Sequence, residues 1–140
     1  NLLRGNNMQE KFSSQVFECD KPNANKRIYP KHIIEQNIER LNESVQNRSL
    51  LGELESNSNT IIHFGNASHI VSEIRQEDNK FFVEIEVLDT PYGKILQSLI
   101  KNNVKFAIIP RGVGSATTDA EGNTVIGDDY KIITFDIIAD

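Results

Sequence analysis

The sequence predicts an α+β fold that is mainly β, on three observations. Short runs alternate apolar and polar residues at a period of two, most clearly over residues 80–88, and that period marks half-buried strands. At least two stretches, residues 31–45 and 91–101, instead repeat their apolar residues at helical spacing. Strands and helices do not alternate as βαβ units, which argues against a parallel sheet. The 140 residues fit one domain, residues 1–140, long enough to bury a real core. An apolar fraction of 38% and a charged fraction of 25% suit a soluble globular chain.

Residues 1–10 are polar and expected to form a loosely held N-terminal segment, although Leu2, Leu3 and Met8 offer apolar side chains for docking. Residues 15–20 read as a strand and residues 21–26 as a loop rich in Asn and Pro. Pro30 suits the first turn of a helix, where its missing N–H costs nothing. Ile34, Ile38, Leu41 and Val45 then give residues 31–45 one apolar face. Residues 50–54 form a short strand and residues 55–59 a polar loop. Residues 60–64 and 68–75 read as strands broken by Gly65-Asn66, with a turn at residues 76–79. In the strand 80–88, Phe81, Val83, Ile85 and Val87 make a continuous apolar face, while Phe82, Glu84, Glu86 and Leu88 point the other way. Pro91 and Gly93 introduce a helix to about Lys101, with Ile95, Leu96, Leu99 and Ile100 on one side. Residues 104–109 are apolar enough for a buried strand. Glu121-Gly122-Asn123 is a hairpin-type turn signal, and residues 130–138 make the final strand. There is no internal repeat and no low-complexity tract.

Composition narrows the function. A net charge of −5 without a dense basic stripe argues against nucleic acid as the partner. No apolar run approaches the roughly 20 residues of a membrane span, and no signal-peptide pattern is visible. The chain begins at Asn1 rather than Met, leaving room for a leader or preceding segment outside this sequence. Cys19 is the lone cysteine, so no intrachain disulfide is available, and it reads as a small apolar core residue. No His-x-x-x-His or paired-cysteine spacing points to a metal. Asp119, Glu121, Asp128 and Asp129 lack calcium-loop spacing and read as solvated turn carboxylates. Gly112-Val113-Gly114 lacks the pattern of a phosphate loop. No cofactor or metal is expected.

Two segments carry the strongest signal: Gly52-Glu53-Leu54-Glu55-Ser56-Asn57 and Ile109-Pro110-Arg111-Gly112-Val113-Gly114-Ser115. Together they resemble the active-site segments of the tailed-phage prohead core proteases. In that family the first typically reads Gly-Glu-Leu-x-His-Pro and carries the catalytic histidine. The second typically reads Gly-Val-Ser-Ser-Arg-Gly-x-Gly-Ser, and its first serine is the nucleophile. The resemblance extends along the chain through Asn23 to Pro30, Ser68-His69-Ile70-Val71, Leu88 to Leu96, and Phe135 to Asp140, in the family's order. It implies an antiparallel β-barrel akin to herpesvirus assemblin with a few flanking helices. It also implies that the strands at residues 50–54 and 104–109 are neighbours.

The chain departs from the pattern where the chemistry lies. Ser56 stands at the histidine position and Ile109 at the nucleophile position. Serine proteolysis needs a nucleophile, a base within hydrogen-bond reach and donors for the oxyanion. Ile109 has no nucleophilic atom, and Pro110 has neither a nucleophile nor an N–H. The Ser56 hydroxyl does not titrate near neutrality. Arg111, Gly112 and Gly114 keep the frame, and their simpler reading is a strand-ending turn. A shifted site would pair His63 or His69 with Ser115, whereas the simpler reading packs His69 within its strand and leaves His63 near a loop. Asp136 matches a family position that either stabilises the barrel or once oriented the histidine. No catalytic residue is therefore expected, and Ile109 is expected to be packed beneath a shallow or closed groove. The resemblance then implies a non-catalytic protein of tailed-phage head assembly, or a structural component associated with capsid or portal. It would bind capsid, portal or scaffold proteins in the prohead or virion, assembled in the bacterial cytoplasm, with an oligomer also open. The competing readings are an active prohead maturation endopeptidase that cleaves scaffold and capsid proteins, and a regulator that pairs with an active protease subunit.

Overall fold

The computed structural model describes residues 10–140; the expectations for residues 1–9, including Leu2, Leu3 and Met8, lie outside the described residues. Strand β1 (Lys11–Glu18) begins earlier than expected, because Glu10 already accepts a hydrogen bond from the amide of Val87 at 2.9 Å. A short β2 (Arg27–Ile28) precedes helix α1 (Lys31–Gln46), which Pro30 caps from outside. Then follow β3 (Leu51–Glu53), β4 (Ala67–Glu77), β5 (Lys80–Val87) and helix α2 (Pro91–Lys101). Strands β6 (Phe106–Val113), β7 (Ala116–Thr118), β8 (Thr124–Ile126) and β9 (Lys131–Ala139) complete the chain.

The strands form three ladders: a four-stranded sheet in the order β1-β5-β4-β3, a small sheet β2-β8-β7, and the pair β6-β9. All pairings are antiparallel except β2 with β8. Among the described residues no continuous ladder closes them into the expected barrel. Instead β3 meets β9 at a parallel bridge, Leu54 opposite Ile137, where the Glu55 amide donates to Ile137 O at 2.7 Å. On the far side Phe12 of β1 lies edge-on against Phe106 of β6, ring centroids 5.5 Å apart.

The core lies between these sheets. Phe81, Val83, Ile85 and Val87 of β5 are fully or almost fully buried, as their alternation predicts. The opposite face is not wholly solvated. Glu86 is buried as well, and Arg48 and Lys11 neutralise it. Phe17, Tyr29, Phe81 and Phe135 meet edge to face, joining β1, β5 and β9. Helix α1 docks through Ile34, Ile38 and Leu41, together with a buried Asn37.

Several expectations change. Residues 60–64 form no strand. Ile61 is 66% and Phe64 83% exposed, and β4 already has β3 and β5 on its two edges. The apolar side of α2 is divided: Leu96 is buried, whereas Ile95 and Leu99 are exposed. Strand β6 starts later than expected and runs on through Pro110, Arg111 and Gly112 with a bulge at Arg111/Gly112, so this segment is not a turn. Strand β9 lies between β3 and β6, so the two motif-bearing strands are not direct neighbours.

Candidate functional site

The site is assembled at β9. Its residue Asp136 is fully buried and sits opposite Ile109 in the β6–β9 ladder. Arg111 is two residues further along β6, so it shares the face of Ile109. Its guanidinium reaches Asp136 through two bonds, Nε to Oδ2 at 2.7 Å and Nη2 to Oδ1 at 2.8 Å. Nη2 also donates to Glu53 Oε1 at 3.0 Å, and Nη1 to the carbonyl of Asn59 at 3.0 Å. Asp136 Oδ1 further accepts the Glu53 amide at 3.1 Å, and Asn57 Nδ2 donates to Glu53 Oε1 at 3.0 Å. Both motif segments thus converge on one buried cation held between two carboxylates. Burial disfavours the Arg111 charge, but the bonds from Asp136 and Glu53 outweigh it and hold its pKa above the ordinary value.

Ser56 stands at the rim of this network, on the loop after β3. Its hydroxyl donates to Asp136 Oδ2 at 3.1 Å. Ser56 and Ile109 therefore flank the same aspartate, one across a side-chain hydrogen bond and the other across the ladder. Ile109 is half-buried, short of the full packing expected. The Ser56 bond links a hydroxyl directly to a carboxylate, with no imidazole between them.

His69 is fully buried one strand away. Its Nε2 donates to the carbonyl of Phe135 at 2.7 Å, which leaves Nδ1 to accept the Ser68 hydroxyl at 2.7 Å. Burial holds this imidazole below its ordinary pKa, only partly opposed by the Phe135 bond and Asp136. The ring reaches β9 by crossing Gly52, where a Cβ would stand 2.1 Å from Nε2. Gly52 of the first motif is thus a steric requirement of the His69 bridge. Gly112 of the second motif plays a similar part, since a Cβ there would stand 2.4 Å from the Tyr130 ring.

The structure does not bring the shifted site together. Ser115 is exposed beyond β6, and its amide and hydroxyl both bond Asp129 Oδ1, at 2.9 and 2.8 Å. His63 is exposed beside the turn at Phe64–Asn66, and both ring nitrogens of His69 are engaged. The Asp119 carboxylate closes its own hairpin, accepting from the amides of Glu121 and Asn123 at 3.0 and 2.8 Å. Among the described residues no group of three or more His, Cys, Asp or Glu side chains is arranged to hold a metal, and no helix is long and apolar enough to cross a membrane. Cys19 is buried and its thiol is pushed up to about 12 by burial and by Asp20. Sequence reasoning missed the pairing of Arg111 with both Glu53 and Asp136. The available signal was a charge inside each motif, next to apolar strand residues.

Comparison with known proteins bears on the family and the fold. The family model described as prohead core protein serine protease matches residues 11–138. The prohead core protein protease of Enterobacteria phage T4 is 28% identical over 121 residues, covering 83% of this chain but only 56% of that relative's length. The solved bacteriophage T4 capsid assembly protease superposes with a TM-score of 0.87 at 24% identity, over 93% of this chain and 81% of the other, a likeness of fold. On the extent of the family match, the chain belongs to the prohead core protein serine protease family.

Proposed function

We propose that this chain is a non-catalytic member of its family, a single prohead-protease-like domain that acts in tailed-phage head assembly or as a structural component associated with capsid or portal. Its partners are capsid, portal or scaffold proteins, and its place is the phage prohead or virion. The observation that carries this reading is the chemistry around Asp136. In a serine protease a buried aspartate orients an imidazole, which activates the nucleophile. Here the buried Asp136 carboxylate is bonded to the Ser56 hydroxyl and to Arg111, and the residue opposite it is Ile109. None of the three supplies a general base near neutrality, and Ile109 has no nucleophilic atom. Removing one member of such a triad already costs several orders of magnitude in rate. The four-stranded sheet and the β6–β9 pair read as the walls of an opened barrel, with Arg111 joining them.

The test is proteolysis with the 140-residue chain. The purified protein is expected to leave phage scaffold protein uncleaved and to resist serine-directed phosphonates. Covalent labelling of Ser115, or cleavage at a rate above solvent, would establish the active endopeptidase instead. The double variant Ser56→His/Ile109→Ser is expected to melt a few degrees lower and to gain little or no activity. It exchanges a half-buried apolar side chain for a hydroxyl, a fraction of the about 1.5–3 kcal/mol of full burial. Strong proteolysis by that variant would show an intact cleft and would end the non-catalytic reading.

A further inference from the structure

Helix α2 carries apolar residues on two sides. Gly93, Leu96 and Ile100 turn toward the core. Tyr92, Ile95 and Leu99 recur at helical spacing on the outer side, 42%, 48% and 37% exposed. A surface helix ordinarily keeps that side polar. At the N-terminal end of α2, the Thr90 hydroxyl donates to Ala67 O at 2.5 Å and accepts the Gly93 amide at 3.0 Å, which fixes the helix beside the start of β4. The turn at Phe64–Asn66 packs against this end, and it holds Phe64 83% and nearby Ile61 66% exposed. The loop that leads there is tied down, since Asn57 donates to Glu53 and Arg111 to Asn59 O. At the C-terminal end of α2, the Val104 amide donates to Leu99 O at 2.9 Å. There Leu99, Val104, Phe106 and Ile138 line an apolar groove of about 290 Å³ between the helix and β6–β9. A projecting aromatic side chain and an apolar groove thus stand at opposite ends of one exposed stripe.

We propose that two copies of this chain pair through this surface, with Phe64 of each copy seated in the groove of the other. A two-fold axis near Ile95 sets the two α2 helices antiparallel and brings each projecting end onto the other copy's groove. Such an interface is isologous: the same patch serves both subunits and closes on itself. The size of the patch supports a copy of the chain as the occupant. The exposed parts of Ile61, Phe64, Tyr92, Ile95, Leu99 and Val104 come to roughly 600 Å², the upper end of what a monomer shows and most of the about 800 Å² that each partner gives a standard interface. An aromatic anchor entering an apolar pocket is the usual centre of such an interface. Around the patch, exposed Glu55, Asp89, Lys101 and Lys105 mix both signs of charge, so a second copy meets no single-sign repulsion. The pairing does not depend on whether the chain is catalytic.

The test is sedimentation velocity on the full chain across a wide concentration range, with methyl NMR on a mixture of differently labelled copies. A dimer is expected, with nuclear Overhauser effects between the Phe64 ring of one copy and the Leu99 or Val104 methyl groups of the other. Phe64→Asp and, separately, Ile95→Asp should each weaken the dimer by at least roughly tenfold, because each change falls twice in an isologous pair. Phe64 is too exposed to support the core, so Phe64→Asp should keep the circular dichroism spectrum and urea midpoint of the unaltered chain. A monomer at every concentration would overturn the proposal, as would a dimer that both substitutions leave intact. Groove contacts made within one copy would overturn it in favour of self-docking, and oligomers that grow without limit would overturn the two-fold arrangement.

Discussion

Arg111 decides more at the level of single residues than any other side chain of the site. It bonds Asp136 and Glu53 while only 2% of its side chain is exposed. A buried ion pair adds little over a well-packed apolar pair, but removing one partner strands a charge in the interior. Arg111→Met should therefore cost about 3–5 kcal/mol, read as a lowered urea midpoint. His69 supplies a second, pH-dependent effect. Its folded pKa lies below the ordinary 6.5, so the folded chain binds fewer protons than the unfolded one. The contribution of neutral His69 is fully present above pH 6.5 and is lost as pH falls below it, toward the folded value. His69→Gln keeps a donor for Phe135 O but removes the titration. The urea midpoint of the unaltered chain should fall more steeply between roughly pH 7 and 5 than that of the variant.

At the scale of the elements, α1 is tied to β9 by a polar side chain. Asn37 Nδ2 donates to the carbonyls of Ile33 and Tyr130, and Oδ1 accepts the Ile132 amide at 2.8 Å. The adjacent Arg40 adds a bond to Ile132 O at 2.8 Å. Asn37→Leu would fill the space yet orphan the buried Ile132 amide, with an expected loss of about 1–3 kcal/mol in chemical denaturation. The helical period of residues 31–45 was legible because Ile34, Ile38, Leu41 and Val45 mark it locally, and the same period puts Asn37 on that face, but it gave no sign of the partners Asn37 finds at Tyr130 and Ile132. Alternation in β5 was legible for the same reason. The end of β6 was not, because Pro110 and Gly112 read as turn residues. Their pairing with Phe135 and Ile132 depends on a strand far away in sequence.

For the whole molecule, the three ladders predict unequal stability. Strand β5 is paired on both sides, whereas the backbone pairing of the β3 end with β9 rests on the Leu54–Ile137 bridge and the Glu55 amide, the remaining links being made by side chains. Local opening follows such differences in burial and hydrogen bonding. Hydrogen exchange should find the amides of Val83 and Ile85 among the slowest and that of Glu55 substantially faster. Equal protection at both places would mean that the sheets open as one closed unit. The Arg111 network crosses this same junction, so Arg111→Met should accelerate exchange at Glu55 more than at Ile85.

The sequence by itself determined the family, the mainly β character and the two helices. Its motifs are contiguous, and local periodicity encodes which face of each element is buried. The expectation that Ser56 and Ile109 stand at the positions of the family's histidine and serine rests on these motifs alone. Tertiary structure decided what surrounds them. Glu53, Arg111 and Asp136 are far apart along the chain, and only the bridging position of β9 brings them within hydrogen-bond reach. It likewise decided that Ile61 and Phe64 face solvent and that the apolar side of α2 is divided between core and groove. A period of two or of 3.6 specifies which residues share a face. Which faces find a partner depends on the pairing of distant strands, and no local pattern contains that information.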